Sequence, residues 1–186
     1  EDYDKAIQLD PAEAKRYLSR GVAYHRQILG QYQRAIEDYD KAIQLDPDFA
    51  DAYYNRGIAY SNLGEYQRAI QDNDKAIQLD PDFALAYSAR GYAYSNLGQD
   101  ERAIQDYDRA IQLDPDFADA YYNRGYSYDE LGQYQNAIND YTKAIQLDPN
   151  DAWAYYNRGV SYEGLGKFDL AEKDYDKACE LDRSLC

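Results

Sequence analysis

Proline recurs at Pro47, Pro81, Pro115 and Pro149, each 34 residues after the last, with Pro11 preceding the series by 36. A chain with that period must build one supersecondary unit several times and stack the copies, because a single copy cannot bury its own apolar face. Framed on the prolines, the units are 14–49, 50–83, 84–117, 118–151 and 152–185, and residues 1–13 match only the second half of a unit. Aligning 50–83 with 118–151 gives 23 identical residues in 34 positions, so one unit has been copied rather than one composition sustained.

Each unit reads as a helical hairpin. Within 50–83, Tyr53, Gly57, Tyr60 and Leu63 recur every three or four residues, the spacing of one face of a first helix. Gly64 is a stop signal, and Tyr66, Ala69, Ile70, Asn73, Ala76 and Ile77 form the stripe of a second helix that Asp80-Pro81 closes. Proline disfavours helical geometry in the residue before it, and its fixed φ suits the start of the next helix.

The order Tyr53, Arg56-Gly57, Tyr60, Ala69, Asn73, Ala76, Pro81 resembles the signature of the tetratricopeptide repeat family, and all five units carry the glycine and both alanines. Departures are local: Asn73 replaces an aromatic, Asp100 a tyrosine, Arg183 the last proline, and arginine replaces leucine before every signature glycine. The resemblance implies an all-α fold, a right-handed superhelical solenoid of antiparallel helix pairs. It would form a single domain over 1–186, with five units behind an N-terminal half unit. A start in mid-repeat and an expected uncovered last helix suggest an excerpt of a longer array, or ends that stack weakly on other copies.

Physical roles follow for the recurrent residues. Gly21, Gly57, Gly91, Gly125 and Gly159 sit inside helices, where glycine costs about 1 kcal/mol against alanine, so the missing side chain must serve close packing. Ala35, Ala69, Ala103, Ala137 and Ala171 are the expected small partners on the second helix. Arg20, Arg56, Arg90, Arg124 and Arg158 precede the glycines, and Asp38, Asp72, Asp106, Asp140 and Asp174 recur in the second helices. A repeated bidentate ion pair is predicted, one that fixes register more than it adds stability.

Charge narrows the partners. With 35 acidic against 20 basic residues, a formal charge of -15 repels nucleic-acid phosphates and anionic membranes and favours a neutral or basic partner. No apolar run is long enough to insert in a membrane, and Glu1–Asp10 carries no signal-peptide pattern; a cytoplasmic setting is favoured. If Cys179 and Cys186 lie on one continuous helix, they stand roughly 10 Å apart, beyond disulfide reach. Cys179 is then expected to pack as a small apolar residue and Cys186 to be a loose end. The single histidine, His25, lies in a two-residue insertion, expected to extend or bulge the first helix, and without Cys or His partners is expected to be solvated rather than a metal ligand.

Eighteen of the 23 tyrosines fall on recurrent packing positions, leaving Tyr54, Tyr92, Tyr122, Tyr126 and Tyr156. These lie on a second stripe of the first helices, which in the resembled family lines the concave, peptide-binding surface. The candidate groove comprises Lys15, Leu18 and Val22; Tyr54, Asn55 and Ile58; Leu85, Ser88 and Tyr92; Tyr122, Asn123 and Tyr126; and Trp153, Tyr156, Asn157 and Val160. Asp51, Asp119, Asp129, Glu130 and Glu163 surround it. Asn55, Asn123 and Asn157 resemble the asparagine ladder with which some family members grip a peptide backbone, although they could equally join neighbouring helices. The family's basic carboxylate clamp is missing: Lys15 alone survives where tyrosine, isoleucine and valine now stand. The expected function is a protein-interaction scaffold for an extended neutral or basic segment, with a self-assembling array as the alternative. The sequence holds no nucleophile–base set, metal spacing or phosphate-cradling loop, so no enzyme, cofactor or metal is expected.

Overall fold

A computed structural model describes residues 2–10, 12–25 and 31–186. Among them the secondary structure is helical: α1 (Asp2–Leu9), α2 (Ala14–His25), α3 (Tyr32–Leu45), α4 (Ala50–Asn62), α5 (Tyr66–Leu79), α6 (Ala84–Asn96), α7 (Asp100–Leu113), α8 (Ala118–Glu130), α9 (Tyr134–Leu147), α10 (Ala152–Gly164) and α11 (Phe168–Leu181), followed by a 3-10 turn at Arg183–Leu185. The first helices are α2, α4, α6, α8 and α10, and the second helices follow each in turn. Residues 26–30, where the insertion was expected to reshape the first helix, lie outside the described residues.

The chain divides into two compact units, Glu1–Leu97 and Gly98–Cys186. In the first, α2 pairs with α3 and α4 with α5, and α3 and α5 pack onto the following first helices. In the second, α8 pairs with α9 and α10 with α11. Within each unit successive first helices, α2–α4–α6 or α8–α10, approach one another more closely than successive second helices do. The first helices therefore lie on the inner side of each unit's curve.

Local chemistry sets the ends. Gly64 closes α4 at φ 76°, in the left-handed region that only glycine adopts without strain. The amide of Glu65 then donates to Tyr60 O at 2.9 Å and that of Gly64 to Ser61 O at 3.0 Å, a Schellman stop that satisfies two terminal carbonyls. At the other end of each hairpin an extended aspartate stops the second helix. Asp46 Oδ1 accepts the amide of Asp48 at 3.2 Å, turning the chain around Pro47 three residues before α4 begins. The proline thus sits in the turn rather than at the first position of the next helix.

The core is built from small residues. Ala42 and Ala52 pack between α3 and α4, Ala69, Ile70 and Ala93 between α5 and α6, and Ala144, Ile145 and Ala154 between α9 and α10. The signature glycines face something larger than the expected alanines. A Cβ at Gly125 would meet the Tyr141 ring at 2.9 Å, and one at Gly159 the Tyr175 ring at 2.6 Å, so the absent side chain makes room for an aromatic ring four residues beyond the alanine. At Gly57 the neighbours are Asn73, 2.7 Å away, and the backbone oxygen of the expected Ala69, 3.3 Å away.

Asn73 is 0 % exposed; its Nδ2 donates to Ala69 O at 2.8 Å, while its Oδ1 finds no partner among the described residues. A buried polar atom left unpaired costs about 1–3 kcal/mol. Restoring the ring found in the other repeats, Asn73→Tyr, is expected to stabilise the protein by about 2 kcal/mol, gained from apolar burial and removal of the orphan acceptor. Urea unfolding checks this; a lower midpoint means that the surroundings of Asn73 have closed over the ring's place.

The predicted ion pair is present in each hairpin that lies within one unit. Arg124 Nε and Nη2 donate to the two oxygens of Asp140, both at 2.7 Å, and Arg20–Asp38, Arg56–Asp72 and Arg158–Asp174 repeat the fork. Two features were not foreseen. The remaining Nη1 reaches back to the preceding second helix: Arg56 to Asp40 at 2.5 Å, Arg90 to Asp74 at 2.6 Å and Arg124 to Asp108 at 2.5 Å. Each guanidinium also lies over the tyrosine three residues earlier, 5.6 Å from the Tyr121 ring for Arg124. Burial is the largest influence on Asp140 and Asp72 and pushes both carboxyls up despite the guanidinium, so desolvation offsets part of the attraction within the pair.

The expectation for the cysteines is overturned. α11 stops at Leu181, Asp182 is extended, and the 3-10 turn carries Cys186 back to within 4.8 Å of Cys179, Cα to Cα, where the two form a disulfide. A single helix through both residues would hold the sulfurs apart; Asp182 Oδ1 instead accepts the amide of Ser184 at 2.8 Å and turns the chain.

Candidate functional site

The sequence-predicted groove residues fall on first helices, nine in the first unit and seven in the second. In the first, Tyr54, Asn55 and Ile58 lie on α4, and Tyr92 on α6 is 45 % exposed. Tyr54 is half-buried with its ring 5.0 Å from Phe83, and burial, then Asp51, pushes its hydroxyl pKa up. Asn55 donates Nδ2 to Asp51 O of its own helix at 2.7 Å. Leu85 is exposed but Ser88 is buried, so Ser88 offers little surface to a ligand. Leu18 and Val22 pack against Ala35, Ile36, Tyr39 and Ala59, while Lys15 stands in solvent. His25 is half-buried, edge-on to Tyr32 at 5.1 Å and 3.4 Å from Asn62 Nδ2, rather than freely solvated.

The second unit gathers more. Tyr126 and Trp153 are 45 % and 52 % exposed. Trp153 lies 6.0 Å from Tyr156, which in turn packs at 5.4 Å on Tyr175. Tyr122 packs at 5.7 Å on Tyr141 and accepts Asn157 Nδ2 at 2.8 Å, joining α8 to α10. Asn123 is half-buried beside it in the chain. Burial raises the pKa of the Tyr122 hydroxyl, with Asp151 adding to it. Burial likewise raises that of Tyr126, with Glu130 next. Both rings stay neutral donors across the physiological range.

One feature of this surface escaped the sequence. Asp129 Oδ2 accepts Tyr141 Oη at 3.0 Å, and Ser161 Oγ lies 2.7 and 2.9 Å from the two carboxylate oxygens. The carboxylate is half-buried and tied to α9 and α10 together. The signal was available: its counterparts are Ser61 and Ser95, so only α8 and α10, with Glu163, place an acid at this position. Asp51, Asp119, Glu130 and Glu163 are exposed. No described group of His, Cys, Asp and Glu has the arrangement of a metal site, and no described helix is long and apolar enough to cross a membrane.

Helical hairpins of this length, locked by a glycine–ring contact and an arginine fork, define a helical repeat protein. A sequence model described as "TPR repeat" matches residues 28–64, 95–132 and 127–166, and models described as "Tetratricopeptide repeat" match 50–83, 152–185 and 73–105. The chain belongs to the tetratricopeptide repeat family. No curated protein matches it. Among solved structures it is similar to a MamA protein, at 33 % identity over 92 % of each chain with a TM-score of 0.77. It also resembles MamA 41-end from Desulfovibrio magneticus RS-1, at 27 % identity over 92 % of this chain and 96 % of that one, TM-score 0.80. YrrB, described as a TPR protein with an unusual peptide-binding site, is 27 % identical over 100 % of this chain and 95 % of its own, TM-score 0.75.

Proposed function

We propose that this protein is an interaction scaffold that holds an extended, neutral or basic peptide segment against the first helices, and that it binds rather than catalyses. The observation that carries this is the exposure of aromatic rings on inner-side helices, Tyr92 in the first unit and Tyr126 and Trp153 in the second, where the other described tyrosines are buried or half-buried. Aromatic side chains supply large contact area at low entropy cost, and exposed amphipathic rings are the usual anchors of such a surface. The surrounding carboxylates and the net charge of -15 select against acidic segments. YrrB, with its peptide-binding site, supports the class of ligand.

The asparagines take a smaller part than a ladder would give them. Asn55 is engaged with its own helix and Asn157 with Tyr122, so a peptide backbone would have to compete for both. Self-assembly through α11 is not favoured: Glu172 and Cys179 stand where α9 carries Ile138 and Ile145 on the face that meets the next helix.

The test is selection from displayed random 12-residue peptides, followed by affinity measurement with a variant carrying Tyr92→Ser, Tyr126→Ser and Trp153→Ser. These three are the most exposed of the groove aromatics, so the fold should survive, as circular dichroism will show. Selected peptides are expected to be neutral or basic with aromatic or aliphatic anchors, and the variant to bind them at least about tenfold more weakly. Unchanged affinity removes the groove assignment.

A further inference from the structure

Four buried aspartates of this protein, Asp38, Asp72, Asp140 and Asp174, are each gripped by two nitrogens of an arginine. The half-buried Asp129 is held differently. Its partners are two neutral hydroxyls, Tyr141 Oη and Ser161 Oγ, and among the described residues no lysine, arginine or histidine pairs with it. Ser161 has one proton to give and lies also 3.1 Å from Asn157 O, so at most two hydrogen bonds reach a carboxylate that can accept about four. A carboxylate removed from water without a counter-charge is a costly arrangement, and burial is the largest influence on this carboxyl, raising its pKa.

The surroundings show what would compensate it. Tyr122, Tyr126 and Asp129 stand at i, i+4 and i+7 on α8, one stripe of that helix. Tyr126 is exposed beside the carboxylate, Tyr122 is steadied by Tyr141 beneath and Asn157 at its hydroxyl, and both rings stay neutral. A carboxylate oriented by two hydroxyls, with aromatic faces alongside, is the chemistry that binds an ammonium or guanidinium. The oxygens take the charge-assisted hydrogen bonds, the ring face attracts the cation, and the aliphatic stem covers the ring. The same stripe on α4 has Ser61 in place of the acid and Ile58 in place of the ring, so it cannot do this.

We propose that Asp129, flanked by Tyr126 and Tyr122, is the subsite that receives a lysine or arginine side chain of the bound segment. This rests on the peptide-groove function above and makes the basic preference local: one charge at one position, rather than a diffuse attraction to an acidic protein.

The experiment is an NMR titration of the whole chain with two blocked amino acids, Nα-acetyl-lysine methylamide and Nα-acetyl-norleucine methylamide, which differ in the ammonium group. The lysine probe is expected to shift the Asp129 side-chain carboxyl and the Tyr126 ring, saturating at about tenfold lower concentration than norleucine. Asp129→Asn keeps the acceptor for Tyr141 and Ser161 and should reduce that advantage to threefold or less. Asp169→Asn, which removes one exposed charge elsewhere, should leave it intact. Equal behaviour of lysine in wild type and Asp129→Asn, or lysine shifts spread over the exposed carboxylates, overturns the subsite. If norleucine still shifts Tyr126 and Trp153 in that case, the groove stands without it; if neither probe shifts those rings, both fall.

Discussion

Replacing Arg124 by methionine is expected to lower the free energy of unfolding by about 3–5 kcal/mol, the loss seen when one partner of a buried ion pair is removed. The guanidinium does three things at once: it neutralises the buried Asp140 through two hydrogen bonds, bonds Asp108 of the preceding second helix, and lies over Tyr121. Methionine keeps part of the volume but leaves the Asp140 carboxylate buried without a cation. Most of the loss comes from that stranded charge, since the Asp108 arm is half-exposed and contributes on the order of 0–1 kcal/mol. The double variant Arg124→Met/Asp140→Leu should therefore recover most of the stability. Urea unfolding of the wild type, both single variants and the double variant closes the cycle. A double variant as unstable as Arg124→Met would show that the fork contributes net stability rather than register.

Tyr141→Ala is expected to cost about 4 kcal/mol, in the range for emptying a large aromatic from a core. Tyr141 is fully buried, with its ring against Gly125 and Tyr122, and its hydroxyl holds Asp129. Truncation leaves a hole against a glycine that has no side chain with which to fill it. Tyr141→Phe separates the two contributions: it keeps the packing, removes only the hydrogen bond to Asp129, and should cost about 1 kcal/mol. Equal losses for the two variants would mean that the hydroxyl, and not the ring, holds α8 to α9. Hydrogen exchange at the α8 and α9 amides reads the effect locally, which matters in a repeat protein where distant units need not unfold together.

The features legible in the sequence are those written several times over. The hairpin, the glycine stop at Gly64 and the arginine–aspartate fork recur at fixed positions, so each copy corroborates the others. What was missed occurs once or depends on where a helix ends. The Cys179–Cys186 disulfide required α11 to stop at Leu181, and with Arg183 in place of proline nothing in the last unit signalled the stop as plainly as Pro149 did. The glycines are close contacts as expected, but at Gly125 and Gly159 the partner is a tyrosine ring rather than the alanine: helical periodicity places residues on a face without saying how far a tyrosine reaches across it. At the candidate site, periodicity placed Tyr122 and Tyr126 on one stripe, but Asp129 stood only as one of five acids around the groove. Its importance lies in contacts with Tyr141 and Ser161, 12 and 32 residues away. For Asn157 two roles stood open, gripping a peptide or joining neighbouring helices, because the Tyr122 hydroxyl that it bonds lies in the preceding repeat.

The two-sided arginine also bears on how such a gene can change length. Arg56 joins Asp40 behind it to Asp72 beside it, and Arg124 joins Asp108 to Asp140 with the same atoms in the same order. A 34-residue cassette such as 50–83 thus carries its own socket, Asp72, and the plug for the next, Asp74. An unequal crossover that duplicated or deleted such a cassette would leave each guanidinium with both of its carboxylates, with no compensating mutation. Arg158, whose backward arm meets Thr142 Oγ1 at 3.1 Å instead of an acid, marks a junction without that interchangeability.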